Sequence, residues 1–381
     1  MAVENGTFSY MPSKLLKQFE SEISPLMCII ATANDTVYYP LDDPEEFIAF
    51  WRQAGFELPQ LTGIESLNEK QFDTVFPWGW SQLIEKNFNK YRIDDRGKAT
   101  DKQSYKKELH SRLTSFNITE RLATKQLAPI VSIPQLPLKI TSIQELNEIF
   151  LKEDSGIVVK TLWSSSGRGL IFIRNQKQFD DACNWVNAQL KKNQFVIAEP
   201  IYNKVQDTSL QFYIHPNKSY EFLGINYFDA DEQGKFNKEY LHTPDSIKQF
   251  TENDDWINET SNHIIESFSD LNIHNSYQGP IGVDAMFILN KKKEIEFYPF
   301  VEANLRCNMG YVNLFIKKMI TEQSKGTWQI SHFSKSEAME FYNTMLREHP
   351  LQIKDNLIYK GFFPLTPFTT DTRFAAWGHV E

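Results

Sequence analysis

The chain has 381 residues, enough for two or three domains with substantial cores. Its charged share is 23% and its net charge −9, so no basic surface for general nucleic-acid binding is implied, and Lys291–Lys293 reads as a solvated turn. Cys28, Cys183 and Cys307 are too few and too scattered for a disulfide framework or a zinc motif.

No apolar run approaches the ~20 residues needed to span a bilayer. The polar segment from Met1 to Lys14 lacks the apolar core of a signal peptide. The expectation is a cytoplasmic protein with no membrane and no nucleic-acid partner. In chain order, Leu26–Ala31 reads as a buried strand, and Asp43-Pro44-Glu45-Glu46 opens a helix that Gly55 stops. A short strand is expected at Phe72–Phe76, running into Pro77-Trp78-Gly79-Trp80-Ser81. This β-α-β order predicts a small α/β domain in the first hundred or so residues, followed by a charged linker or loop from Asp94 to Lys107.

Ser142 with Glu145 forms a capping box for a helix reaching about Lys152. Strands are expected at Gly156–Lys160 and Leu170–Ile173, a helix from Gln176 to about Lys192, and a strand at Phe195–Glu199. Strand-like runs follow at Thr208–His215 and Tyr220–Phe228, with a helix at about Glu259–Leu271. Two apolar segments around Asn290–Lys293 have the pattern of a β-hairpin. Helices at about Tyr311–Ile320 and Ser336–Arg347 precede an aromatic tail, expected to be irregular from Tyr359 onward.

Four features carry chemistry. Side chains alternate across a strand, so if Asp284 lies opposite Glu302, both converge with Asn304 into a hard-oxygen set suited to Mg²⁺. The alternative is a solvated hairpin face, but each acid sits in an apolar run where an unpaired carboxylate is costly. Between two strands, Ser164-Ser165-Ser166-Gly167-Arg168-Gly169 is a small-residue loop of the kind that cradles phosphate. It is neither a Walker A loop nor a Rossmann fingerprint, because a strand follows it, and such loops are also plain hairpin tips. Lys160 ends an apolar strand directly before it, where a buried lysine needs a partner and a nucleotide phosphate is a natural one. Glu199 ends another apolar strand, with a water-facing carboxylate as the plain alternative.

Strand–Lys–Gly/Ser loop–strand, helix, strand–Glu-Pro, strand with Asp207-Thr208-Ser209, Gly-Val-Asp, then Glu-x-Asn-x-Arg is an order that resembles the ATP-grasp superfamily, over roughly Leu113 to Ile320. The resemblance implies an α/β chain with an α+β core. Two α+β subdomains would be preceded by a small Rossmann-like α/β domain, with divisions at 1–110, 111–200, 201–325 and a C-terminal extension at 326–381. It implies that Lys160 contacts the α- or β-phosphate, that Ser164, Ser165, Ser166, Gly167, Arg168 and Gly169 close over the phosphates, and that Glu199 with the backbone of Ala198 and Ile201 meets adenine. Asp207 would bind ribose hydroxyls. Asp284, Glu302 and Asn304 match the magnesium ligands, and Arg306 would steady the transferring phosphoryl group or a substrate carboxylate. Arg112 is favoured over Lys125 as the second phosphate-binding cation.

The implied cofactors are ATP and Mg²⁺, two ions with Mn²⁺ as a substitute, in a monomer or homodimer. The implied activity is ATP-dependent ligation of a small-molecule carboxylate to an amine through an acylphosphate. Phosphoryl transfer asks chiefly for positioning and charge neutralisation. A kinase on the same ATP site, or a nucleotide-binding module without turnover, are the alternatives. Trp78 and Trp80 are read as packing residues or substrate contacts, and His215 and His274 as structural.

Overall fold

In the computed structural model the described residues are 11–41, 44–67, 72–93, 106–164, 169–231, 234–251, 255–334 and 336–381. They group into two compact units, one drawn from Gln103–Phe236 and Asp245–Cys307, the other from Thr7–Lys102, Asn237–Pro244 and Asn308–Glu381.

The first unit contains two sheets. One has four antiparallel strands in the spatial order Leu138–Ile140, Val196–Pro200, Ile157–Lys160, Leu170–Ile173. Alternation along these strands sends Ile157, Val159, Val196 and Ala198 into a core shared with Leu146, Phe179, Ala182 and Val186. The last three share one face of the Gln176–Asn193 helix. Asn175 caps that helix by accepting from the Gln178 N–H at 3.0 Å, and Lys191 and Lys192 occupy its last turn, where positive charge suits the helix dipole. The capping box at Ser142 forms with one displacement. Ser142 Oγ accepts from Glu145 N at 3.2 Å, but the Glu145 carboxylate reaches back to Thr141 N at 2.8 Å.

The opposite face of this sheet carries Val158, Lys160, Ile197 and Glu199. Phe116 of the Arg112–Leu122 helix packs there with Leu162 and Ile197. The second sheet of the unit orders Ile295–Asn304, Gly279–Leu289, Asn203–Ile214 and Tyr220–Ala230, all antiparallel. The Arg112–Leu122 helix also meets this sheet, since Ser115 Oγ accepts from Ala303 N at 3.1 Å. It therefore touches both sheets, with the site residues around its first turn.

In the second unit, Thr36–Tyr38 and Gln60–Thr62 pair in parallel across the Glu45–Gln53 helix. The expected β-α-β is present, but with different strands. Leu26–Ala31 is not a strand: Ser24–Ile29 forms a 3₁₀ helix with a proline in its first turn, and a short apolar run fits a buried helix turn as well as a strand. Phe72–Phe76 is irregular, with Phe76 42% exposed, so no buried face draws it into a ladder. The tail is likewise ordered. Leu357–Pro364 and Phe374–Val380 pair antiparallel, in a sheet ordered Phe236–Tyr240, Gly326–His332, Phe374–Val380, Leu357–Pro364, Gln352–Lys354. Its aromatic residues bury Phe362 and Phe368 against the Glu337–Glu348 helix. The fully buried Trp51 donates to Pro364 O at 3.0 Å. Asp43 and residues 94–105 lie outside the described residues.

Among the described residues no helix is long and apolar enough to cross a membrane.

Candidate functional site

The hairpin places Asp284 directly opposite Glu302, and Gly282 opposite Asn304. The register breaks between Asp284 and Met286, and Met286 then pairs with Tyr298. Pro299, which has no N–H to give to a ladder, falls within that break. The shift is by two residues, so Tyr298, Glu302 and Asn304 stay on one face. Asn304 Nδ2 donates to Asp284 Oδ2 at 3.1 Å, and Arg306 Nη2 donates to Asn304 Oδ1 at 3.0 Å. On the adjacent strand Ser209 pairs with Asp284 and Asp207 with Met286, so Asp207 joins the same face. Lys204 pairs with Asp207. Burial pushes the Asp284 carboxyl up to about 7, the Glu302 carboxylate adds to the rise, and Arg306 and the Asn304 amide oppose it. Burial likewise raises Asp207, against the pull of Lys204.

Across from this face lie the cations. Lys160, 5% exposed, is paired with Glu199, 8% exposed, at 2.6 Å. The partner that a buried lysine requires is thus Glu199, and the water-facing reading of that carboxylate is overturned. Both stand on the sheet face opposite the helical core because Lys160 and Ile197 are neighbours, as are Val158 and Glu199. Ala198 is flanked by Leu138 and Val159 in the middle of the sheet. The Ile201 N–H is taken by Gly156 O at 3.0 Å, leaving only its carbonyl for a base edge.

Arg112 begins the helix that Ser111 caps. Its Nη1 donates to Thr161 O at 2.8 Å and to Ser164 Oγ at 2.6 Å, and its Nη2 to Glu302 Oε2 at 3.1 Å. One guanidinium therefore joins the neck of the small-residue loop to the hairpin carboxylate. Gly169 closes the other side of that neck, where Thr161 N donates to Gly169 O at 2.9 Å. A Cβ on Gly169 would stand 2.2 Å from Ser164 Oγ and 2.4 Å from Thr161 Oγ, so only glycine fits the pinch. Ser165, Ser166, Gly167 and Arg168 lie outside the described residues.

Lys125 is turned to Glu266 at 2.8 Å. His215 meets Glu221 at 2.8 Å, and His274 meets the Tyr220 hydroxyl at 3.0 Å, in keeping with structural roles. Trp80 packs edge-on against Phe88. Sequence reasoning missed His110, whose imidazole burial and the Arg306 charge push down to about 4. It also missed Ser115, which secures Ala303. A signal for both existed in the Ser111 cap, which marks a helix start at Arg112 and puts Ser115 one turn along it.

Among the described residues no three His, Cys, Asp or Glu side chains converge as a self-sufficient metal site. A hard cation taken by the Asp284, Glu302 and Asn304 oxygens would have to displace the Arg112 and Arg306 hydrogen bonds to Glu302 and Asn304 and complete its shell from phosphate oxygens and water, the manner in which Mg²⁺ is ordinarily held beside nucleotides.

No family model matches the chain, and no curated protein matches it. Solved structures do. A biotin carboxylase–β,γ-ATP complex from Campylobacter jejuni superimposes with a TM-score of 0.51 at 11% identity, covering 96% of this chain and 85% of that one. N5-carboxyaminoimidazole synthetase from Staphylococcus aureus gives 0.48 at 13%, covering 96% and 91%. An L-amino acid ligase from Bacillus licheniformis gives 0.42 at 13%, covering 90% and 86%. The likeness to the Campylobacter biotin carboxylase is one of fold.

Proposed function

We propose that this chain is an ATP-dependent carboxylate–amine ligase using Mg²⁺. The observation that carries the reading is the pairing of Asp284 with Glu302 on one sheet, joined through Arg112 to the loop neck beside Lys160 on the other. Carboxylate oxygens and two cations gathered around one strand-loop-strand support the reading, because transfer of a γ-phosphoryl group asks for positioning and charge neutralisation. The Campylobacter biotin carboxylase of the same fold is described as an ATP complex, which supports the nucleotide.

In this reading Lys160 and Arg112 bind phosphate oxygens, the 164–169 loop excludes water, and Glu199 and Ile201 flank the base. Asp207 serves the ribose, and Asp284, Glu302 and Asn304 hold the metal, whose part when bound is to neutralise the β- and γ-phosphates. A substrate carboxylate oriented by Arg306 attacks the γ-phosphorus and ADP leaves. An amine then attacks the acyl carbon of the acylphosphate, losing a proton as phosphate departs. The substrates are small molecules, and the four divisions at 1–110, 111–200, 201–325 and 326–381 describe the corresponding modules.

The test is ADP release with Mg²⁺ across amino acids, short peptides and small carboxylic acids, offered with and without amines. Turnover should need both a carboxylate and an amine, and Glu302→Ala should abolish it with the fold intact. Turnover with an alcohol acceptor and no carboxylate would make the protein a kinase. ADP binding without any turnover would make it a nucleotide-binding module.

A further inference from the structure

We propose that Arg112, besides binding phosphate, ties the neck of the phosphate loop to the metal carboxylate when no nucleotide is there, so that binding of the nucleotide and of the divalent cation are coupled through this one side chain. The inference rests on the ligase reading for the identity of the two ligands and goes beyond it in assigning their coupling.

The arginine is 5% exposed, and four of its bonds are made within the protein: its backbone N–H to Leu162 O at 2.8 Å and its guanidinium to Thr161 O, Ser164 Oγ and Glu302 Oε2. Its Nε is buried with no hydrogen-bond partner. A donor left unpaired in a dry place is expensive, so a native protein that keeps one has a use for it. Beside it lies a cavity of about 10 Å³, bordered by Lys160, Glu199, Ser115, Phe116 and Val301. That is room for one water and not for a triphosphate. In this state the neck of the loop, the helix and the hairpin are drawn together on one side chain.

Two consequences follow from charge. A divalent cation reaching Glu302 alone meets a guanidinium already bonded to that carboxylate, and must approach a like charge and break the pair. A phosphate arriving with the cation reverses the balance. It gives the fork a new anionic acceptor for Nη2 and for the unpaired Nε, and frees Glu302 for the metal. Because the coupling is an equilibrium one, nucleotide must strengthen cation binding by the same factor that cation strengthens nucleotide binding. An arginine that only stapled the fold would have no such effect.

Mn²⁺ binding to the full chain, followed by electron paramagnetic resonance without nucleotide and with ADP, reads this directly. In Arg112→Gln the nucleotide-free affinity for Mn²⁺ should rise by on the order of tenfold or more, because no guanidinium then competes with the cation for the Glu302 carboxylate. The enhancement produced by ADP should shrink correspondingly. Arg112→Lys keeps the charge but loses the fork that spans loop and carboxylate, and should show a smaller gain. If circular dichroism finds the glutamine variant unfolded, the lysine variant decides alone: a gain supports the coupling and none overturns it. Wild-type protein that binds Mn²⁺ with ADP, alongside variants with no nucleotide-free gain, would overturn the coupling and leave the ligase reading standing. No Mn²⁺ binding even with ADP would sink both.

Discussion

Replacing Lys160 with methionine separates stability from function at one site. At the 2.6 Å separation of Lys160 and Glu199, the attraction is ~6 kcal/mol at an effective dielectric of 20. Removing both charges from water costs several kcal/mol per ion, so the pair is close to break-even as a whole. Removing only the lysine is different, because Glu199 stays buried without its counter-charge. Lys160→Met should therefore cost about 3–5 kcal/mol. For a unit of this size that lowers the melting temperature by on the order of 10 °C. Lys160→Met combined with Glu199→Leu should return to within ~1 kcal/mol of wild type, since both ions are gone and apolar volume replaces them. ADP affinity, measured by calorimetry, should stay weak in both variants, because the phosphate-binding cation is absent in each. Urea unfolding followed by tryptophan fluorescence measures the stability. A single variant losing less than ~1 kcal/mol would mean that water reaches the pair, and the argument for a dry, cation-lined compartment would fall.

Gly169→Ala should weaken ADP binding while leaving the melting temperature almost unchanged, because its Cβ would collide with Ser164 and Thr161 at the loop neck rather than in a core; unaltered ADP affinity would show that the neck does not shape the site. His110 titrates at about 4, below its unfolded value, because burial and then Arg306 disfavour the imidazolium. Between that value and ~6.5 the unfolded chain binds more protons, so stability should rise with pH across this window and fall by up to ~3 kcal/mol as pH drops through it. His110→Gln should flatten that part of the profile, and an identical slope in both proteins would refute the assignment.

Much of the first unit was legible in the chain itself. The helix from Gln176 and the hairpin carrying Asp284 and Glu302 are long, periodic segments, and the short strands around Lys160 and Glu199 are unbroken apolar runs bounded by turn residues; local pattern decides such segments. The order of those elements was enough to anticipate the fold. In the second unit the same reasoning misplaced strands. Leu26–Ala31 curls into a 3₁₀ turn, and the aromatic tail after Tyr359 pairs into a sheet. Apolar character marks such segments as buried without saying what buries them.

What only the tertiary structure decided is who answers whom. That Lys160 meets Glu199, 39 positions away, and that Arg112 meets Ser164 and Glu302, 52 and 190 positions away, depends on two sheets closing on one helix. Backbone pattern is local and can be read along a chain. Charge pairing acts through space, and its partners exist only once distant segments have excluded the water between them.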